Sequence, residues 1–533
     1  MVLGYVAVAY AALTFVLTYP AAVHLGDRMI GDGGDGLQFA WDLWWMKRAL
    51  VDLHTTPFHT DAIFHPSGVS LWLHTLTPLN GVLSLPLQAV LPLVVVYNAF
   101  VLASFVAAGC GAFLLAREET GSLSGAFVGG MVFTFSTYHF AHARGHLNLT
   151  CCQWLPLFAL FVLRALRRGR RKDGAWAGLL LALNGYTDPY YLLYAALLGP
   201  ILVAAHWRQR GNTRAVLASL GAAVVVGALL TAPYVLGMIG AARTERFLGA
   251  HDAKIFSADL TSYFVPNGVS SFGEMTHALW TKWSGNATEN ACFVGFSVLA
   301  LLVLALYRDP LTRGWGAVAV VFFLLSLGPE LRIGGQATGI ALPYAVLQRV
   351  VPFLDLGGVA VRMNVLVELS AAVLVAHACK FLAARWIPLV GLMIAIERLA
   401  LPYPTRVLTV DPFYRDLARD AEPYGLLDLT TPSPASMYFA TLHEKSIVAG
   451  MVARLPARAQ RFIDETPLLP TLLYGAPPPP GDPPAMARAM CERLKIRYVI
   501  AHDNVRRDYV ATVLLLPAVR MTPELTAFAC PRQ

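Results

Sequence analysis

The amino-acid sequence predicts a polytopic α-helical membrane protein of about 11–12 spans that ends in a small C-terminal extracytoplasmic α/β domain. Three observations carry this. Hydrophobic residues make up 56% and charged residues 14% of the 533-residue chain, where ordinary soluble domains carry about 25% charged residues. Long apolar runs recur through the first three quarters, and in lipid only structures that satisfy their own backbone can span. From Tyr403 onward, charged residues, prolines and short β-like runs take over.

Taken in order, residues 2–20 form the first span. No basic stretch precedes it and no clear small-residue cleavage site follows it, so it reads as an uncleaved helix. Polar sequence then runs from residue 24 to 74 and holds Trp41, Trp44 and Trp45, a spacing that suits a helix lying in the membrane interface. Residues 79–93 are apolar but broken by Pro86 and Pro92, which predicts a short or re-entrant helix. Residues 94–116 make a full span, and 125–138 and 155–166 follow.

The basic cluster Arg164, Arg167, Arg168, Arg170, Arg171 and Lys172 marks a cytoplasmic loop, as does the later stretch with Arg208, Arg210 and Arg214. The apolar residues between them must cross out and back, with the turn at Tyr186-Thr187-Asp188-Pro189-Tyr190 on the far side. Residues 215–239 return outward to a long external loop at about 241–291. Spans at 292–307, 316–327, 365–378 and 387–401 complete the membrane part, with Pro343, Pro352 and Arg362 in a Gly/Pro-broken stretch between the second and third of these. Lys47 and Arg48 fall outside in this scheme, against the positive-inside tendency, but the denser clusters outvote one pair.

The division that follows is residues 1–402 as a transmembrane domain with external loops at about 21–76 and 241–291, and 403–533 as an extracytoplasmic α/β domain. In the latter, Gly425-Leu426-Leu427-Asp428-Leu429, Ser446-Ile447-Val448-Ala449-Gly450 and Arg497-Tyr498-Val499-Ile500-Ala501 read as strands, the last after a helix near 484–494.

Net charge is +8 and the isoelectric point about 9.1, but the basic residues cluster between apolar runs, so nucleic-acid binding gains no support. No phosphate-binding glycine loop, dinucleotide fingerprint or GxSxG elbow occurs, which sets aside ATP-driven transport and serine hydrolysis. The seven cysteines form no CxxC; five lie in or beside apolar segments, and only Cys491 and Cys530 share the tail, where an oxidising compartment would allow them to pair.

Chemistry has one conspicuous home, Gly31-Asp32-Gly33-Gly34-Asp35-Gly36, just beyond the first span. Glycines allow tight turns and close approach to a ligand, and carboxylates accept protons or hold metals. A solvated loop is the plain alternative. Asp188, Glu289 and Arg362 fall on the same external face under the predicted topology, where membrane-edge charges usually serve substrate or proton chemistry. Each has a structural alternative: Asp188 as a turn cap before Pro189, Glu289 as a helix N-terminal acid, Arg362 as a residue reaching toward headgroups. His142 and His146 stand one helical turn apart, compatible with a metal, but with no third ligand in the sequence nearby they read first as packing or hydrogen-bonding residues.

Several blocks, in order, resemble bacterial polytopic proteins of the GT-C glycosyltransferase superfamily, especially the YfhO-type group. They are residues 31–45, Phe64-His65-Pro66-Ser67-Gly68-Val69-Ser70-Leu71-Trp72-Leu73-His74-Thr75, Thr187-Asp188-Pro189-Tyr190-Tyr191 and Ser257-Ala258-Asp259-Leu260. Glu289 with Phe293 and Gly295, Gly358-Val359-Ala360-Val361-Arg362-Met363, and the strand-like tail motifs continue the series. The resemblance covers nearly the whole chain. It implies a GT-C-like fold, a polyprenyl-phosphate sugar donor, and an acidic residue of the first external loop near the reacting centre. The two acids here are separated by two glycines instead of forming Asp-x-Asp, which leaves open which one corresponds and whether a divalent cation is bound.

A lipid-phosphate donor keeps its hydrocarbon anchor in the bilayer, so the reaction must occur at the membrane surface. The acceptor hydroxyl needs a general base, worth about 10²–10⁴-fold in rate, and the leaving phosphate needs positive charge, for which Arg offers paired donors. The expected function is inverting glycosyl transfer from a polyprenyl-phosphate-linked sugar to an extracytoplasmic glycan, lipid or protein. The base would be Asp32 or Asp35, Arg362 the phosphate partner, and Asp188, Glu289 and His74 substrate-binding residues, in a bacterial inner membrane. A transporter or flippase of a lipid-linked precursor, or a non-catalytic envelope scaffold, is the alternative; the former should show inverted repeats, of which the sequence gives no sign.

Overall fold

Among the described residues, four helices are long and apolar enough to cross a bilayer: Leu93–Thr120, Leu147–Arg168, Thr213–Thr244 and Ala360–Phe381. Shorter apolar helices at Val2–Leu17, Pro189–Ala205, Phe296–Arg308 and Pro310–Ser326 accompany them. The computed structural model describes residues 1–430 and 433–531. Within these, the chain forms two compact units, one of residues 1–31, 98–235 and 250–405, the other of residues 32–97, 236–249 and 406–533.

Local sequence explains the helix boundaries. Pro86 lies inside the Pro78–Gln88 helix, and the 28-residue Leu93–Thr120 helix starts directly after Pro92. The Trp154–Arg168 helix stops at Gly169, whose φ of +62° is a conformation glycine adopts without strain. The arginines at that end are not free: Arg164 and Arg168 pair with Glu118, and Arg167 with Glu119.

The first unit is organised on the Asn364–Ala378 helix, every residue of which is buried. A helix buried all round needs small neighbours. The Leu123–Thr134 helix supplies them at Gly125 and Gly129, where a Cβ would come within 2.6 Å of the Ala376 carbonyl oxygen and 2.5 Å of that of Ala372. Inside this core Glu368 accepts a hydrogen bond from Arg398 Nη2 at 3.0 Å, and Arg398 also donates to the Val294 and Val132 carbonyls. A buried pair with its remaining donors satisfied in this way can persist in the interior.

The second unit holds a five-stranded sheet in the order Ala518–Met521, Thr526–Ala529, Ile496–Ala501, Gly425–Asp428, Ser446–Ile447. Gly425–Asp428 runs parallel to Ile496–Ala501, with Val499 opposite Leu427, and parallel to Ser446–Ile447; the other two pairings are antiparallel. The three strand-like runs of the tail thus form its centre and one edge. Cys491 and Cys530, on the Pro483–Arg493 helix and just past the last strand, are joined by a disulfide.

Residues 32–97 belong to this same unit. The Asp35–Lys47 helix does not offer its tryptophans to an interface: Trp41 is fully buried and Trp45 nearly so, in one apolar cluster with Phe64, Leu426, Leu427 and Met437. Trp41 and Trp45 stack with ring centroids 5.9 Å apart. Spacing alone could not separate these two fates, because the same indole stripe serves lipid headgroups or a protein core equally well.

Candidate functional site

Three of the residues singled out in the sequence meet in the first unit. Arg362 lies in the tight turn Ala360–Met363 that feeds the buried Asn364–Ala378 helix, and is only 9% exposed. Its Nε donates to both carboxylate oxygens of Glu289, at 3.0 and 3.2 Å, and Nη2 donates to Oε1 at 2.5 Å. The guanidinium also sits 5.0 Å from the ring centroid of Tyr190, whose hydroxyl donates to the Gly357 carbonyl.

Glu289 is held from its own loop as well, its N–H donating to Asn286 Oδ1 at 2.9 Å. Burial pushes its carboxyl pKa up, but the charge and hydrogen bonds of Arg362 outweigh that and hold it down at about 2. Asp188 is buried and caps the Pro189–Ala205 helix, accepting from the Tyr190 N–H at 2.6 Å and from Asn148 Nδ2 at 2.5 Å. Burial raises its pKa, opposed by the Asn148 hydrogen bond and the Arg362 charge.

His142 and His146 complete this group. His142 ends the Thr137–His142 helix, and its Nδ1 lies 3.0 Å from Nδ1 of His146. Burial pushes the His142 pKa well below its ordinary value, against the pull of Glu289. Its Nε2 is buried with no partner among the described residues.

His142, His146 and Glu289 present ligand atoms within 4.8 Å of one another, so the third ligand absent from the local sequence comes from Glu289. Two imidazoles and a carboxylate suit a borderline ion such as Zn²⁺ better than an oxygen-seeking Mg²⁺ or Ca²⁺. Glu289, however, already accepts three hydrogen bonds from Arg362, whose positive charge would oppose a cation there. The residues fit a metal poorly while that pair stands, and no step below is routed through one.

The other expected residues lie in the second unit. Gly31 and Gly33 have φ of +97° and +75°, so the loop turns as its glycines permit. Asp32 is exposed on it, and Asp35 is the first residue of the Asp35–Lys47 helix, where a carboxylate is favoured by the dipole. His74 is 2% exposed. Its Nε2 lies 2.9 Å from Asp42 Oδ1, and its Nδ1 lies 3.0 Å from the Ala453 N–H, which donates to it. The backbone donor fixes the tautomer, with the proton on Nε2 facing the carboxylate. Burial pushes the Asp42 pKa up while His74 lowers it. Asp42, Asn148 and Tyr190 were not singled out as site residues by the sequence, because each acquires its role only from a partner elsewhere in the chain.

Residues 8–396 match the family model described as Domain of unknown function (DUF6311). No curated protein matches the chain. Among solved structures, the chain is similar to the arabinofuranosyltransferase AftD from Mycobacteria, at TM-score 0.63 and 13% identity, over 100% of this chain and 40% of that one. It is also similar to the Archaeoglobus fulgidus oligosaccharyltransferase in its apo form, at TM-score 0.52 and 12% identity, over 94% and 69% of the two chains. Archaeal AglB from the same organism, in complex with an inhibitory peptide and a dolichol-phosphate, gives TM-score 0.53 and 11% identity over 96% and 70%. The chain thus spans less than half of AftD. At these identities the likeness is one of fold, and that fold is shared with membrane glycosyltransferases.

Proposed function

The chain belongs to the DUF6311 family, and within it we propose that this protein transfers a sugar from a polyprenyl-phosphate-linked donor to an extracytoplasmic acceptor, with inversion at the anomeric carbon. The observation that carries the reading is the convergence of Glu289, Arg362, Asp188, His142 and His146 in a fold shared with membrane glycosyltransferases. The finer resemblance to the YfhO-type group rests on the sequence blocks.

In this reading Asp32 or Asp35 removes the proton of an acceptor hydroxyl. The oxygen attacks the anomeric carbon from the face opposite the phosphate. The C–O bond to phosphate breaks with its electron pair staying on the phosphate oxygen. Arg362, fixed in orientation by Glu289, is the proposed partner of the leaving phosphate, because a preorganised cation stabilises charge where it develops. Asp188 holds the start of the Pro189–Ala205 helix in place beside Arg362. His74 acts as a strut for the Asp35–Lys47 helix through Asp42, without contact to substrate. The disulfide supports an oxidising, extracytoplasmic side for the tail, and a bacterial inner membrane is the expected location.

The test is mass spectrometry of envelope glycans and lipid-linked sugars from cells with and without the gene. Loss of one glycan feature with accumulation of a lipid-linked sugar is expected. Unchanged glycans and unchanged lipid-linked pools would sink the reading.

A further inference from the structure

The sheet of the second unit ends in a crevice that the transfer chemistry above leaves unused. Three of its strands are parallel and lie in the order Ser446–Ile447, Gly425–Asp428, Ile496–Ala501. The chain leaves Gly425–Asp428 for the neighbour on one side and later returns to the neighbour on the other. The sheet therefore has a switch point between Gly425–Asp428 and Ile496–Ala501, and ligands of open α/β sheets bind beyond the carboxyl ends of the strands at such a point. A cavity of about 310 Å³ lies there. Thr430 lines it from the loop after Gly425–Asp428, Met451 from the loop after Ser446–Ile447, and Arg506 from the segment after Ile496–Ala501.

The lining sets the class of ligand. Asp428, whose side chain is fully buried, accepts from the Tyr414 hydroxyl at 2.6 Å and from the N–H and Oγ1 of Thr430 at 3.1 and 2.5 Å. His502 Nε2 lies 3.1 Å from the same carboxylate. Burial pushes the Asp428 pKa up, but His502, Thr430 and Tyr414 hold it below its ordinary value, so the group is ionised. Arg506 is the one cation among the described lining residues, and it is already paired with Asp503 at 2.7 Å. A carboxylate beneath the crevice and no unpaired cation along it disfavour an anion.

A neutral, amphipathic ligand fits instead. Tyr474 closes the Leu469–Tyr474 helix on the rim and is 59% exposed. Across from this aromatic face stand the hydroxyls of Thr430 and Ser436. Thr430 donates its own proton to Asp428, which leaves its oxygen able to accept. A sugar ring offers C–H groups on one face and hydroxyls around its edge, the combination an aromatic ring beside fixed polar groups recognises. The volume lies at the low end of the roughly 300–1,000 Å³ of small-molecule sites, room for a sugar ring or two.

We propose that this crevice binds a neutral saccharide, and that the acceptor of the transferred sugar is a glycan held there. Calling the saccharide the acceptor rests on the glycosyl-transfer reading and deepens it; the binding site stands apart from it. Tyr474 stacks on the ring, Thr430 accepts from one of its hydroxyls, and Asp428 is a positioning residue that fixes Thr430.

The experiment measures binding of neutral disaccharides of glucose, galactose, mannose and arabinose, with glucose 6-phosphate as the charged counterpart, to the full-length protein in a sugar-free detergent. At least one disaccharide should bind the wild type. Y474A should weaken it about tenfold or more at an unchanged melting temperature, because the ring is exposed, and Y474F should stay close to wild type. T430V should also weaken it. Binding of none of the disaccharides, or Y474A within about twofold of wild type, overturns the proposal. Tyr474-dependent binding of glucose 6-phosphate in preference to every neutral sugar assigns the crevice to anions and overturns it as well. Y474A that binds no saccharide yet transfers sugar at the wild-type rate overturns the acceptor part. Tyr474-dependent saccharide binding in a protein that transfers no sugar upholds the site while the transferase reading fails.

Discussion

Glu289→Gln is the substitution that probes the arrangement most directly. It keeps the size of the side chain and removes the charge that holds Arg362, which is only 9% exposed. Breaking a buried ion pair by neutralising one partner costs about 3–5 kcal/mol, since the other charge is left uncompensated. The acid limb of the pH profile gives an independent figure. The Glu289 carboxyl is held at about 2 in the folded protein against an ordinary value of 4.5, so the depressed carboxylate contributes stability that is fully present above pH 4.5. That contribution is lost as the pH falls from there through about 2. At 1.36 kcal/mol per pKa unit it amounts to about 3 kcal/mol, which agrees with the first figure. Thermal melting of the purified protein in detergent, followed by tryptophan fluorescence between pH 7 and pH 3, reads both. Glu289→Gln should melt well below wild type at pH 7, and the gap should narrow as the pH falls below 4.5. Equal melting at pH 7, or a gap that stays constant down to pH 3, would refute the pairing argument.

Asp32→Asn and Asp35→Asn separate the two candidate bases: the variant at the true base should lose about 10²-fold or more in sugar transfer at an unchanged membrane level. Wild-type transfer by the double variant would move the base elsewhere. His74→Ala should lower stability by about 1–3 kcal/mol or more, because it leaves the buried Asp42 carboxylate short of a donor, while the KM for donor stays the same; a KM effect without a stability effect would return His74 to the substrate. In intact cells, a membrane-impermeant maleimide should label Cys491 and Cys530 only after reduction, and labelling without reductant would argue against the oxidised, external tail.

Much of this protein was legible from its sequence. Hydropathy announced the membrane helices, Pro92 announced the break before the Leu93–Thr120 helix while Pro86 left the Pro78–Gln88 helix unbroken, and Asp188 ahead of Pro189 announced a cap. The three strand-like runs of the tail became strands. These are signals between neighbours in the chain, where backbone preference and local periodicity act directly. The structure decided what depends on partners far apart. Glu289 meets Arg362 across 73 residues, and that meeting supplies His142 and His146 with the third polar group their spacing lacked. The tryptophans of the first loop chose a protein core over lipid, because Leu426 and Leu427 are there to cover them. A charge in sequence says only that a partner is needed, and packing alone determines which partner, if any, is within reach.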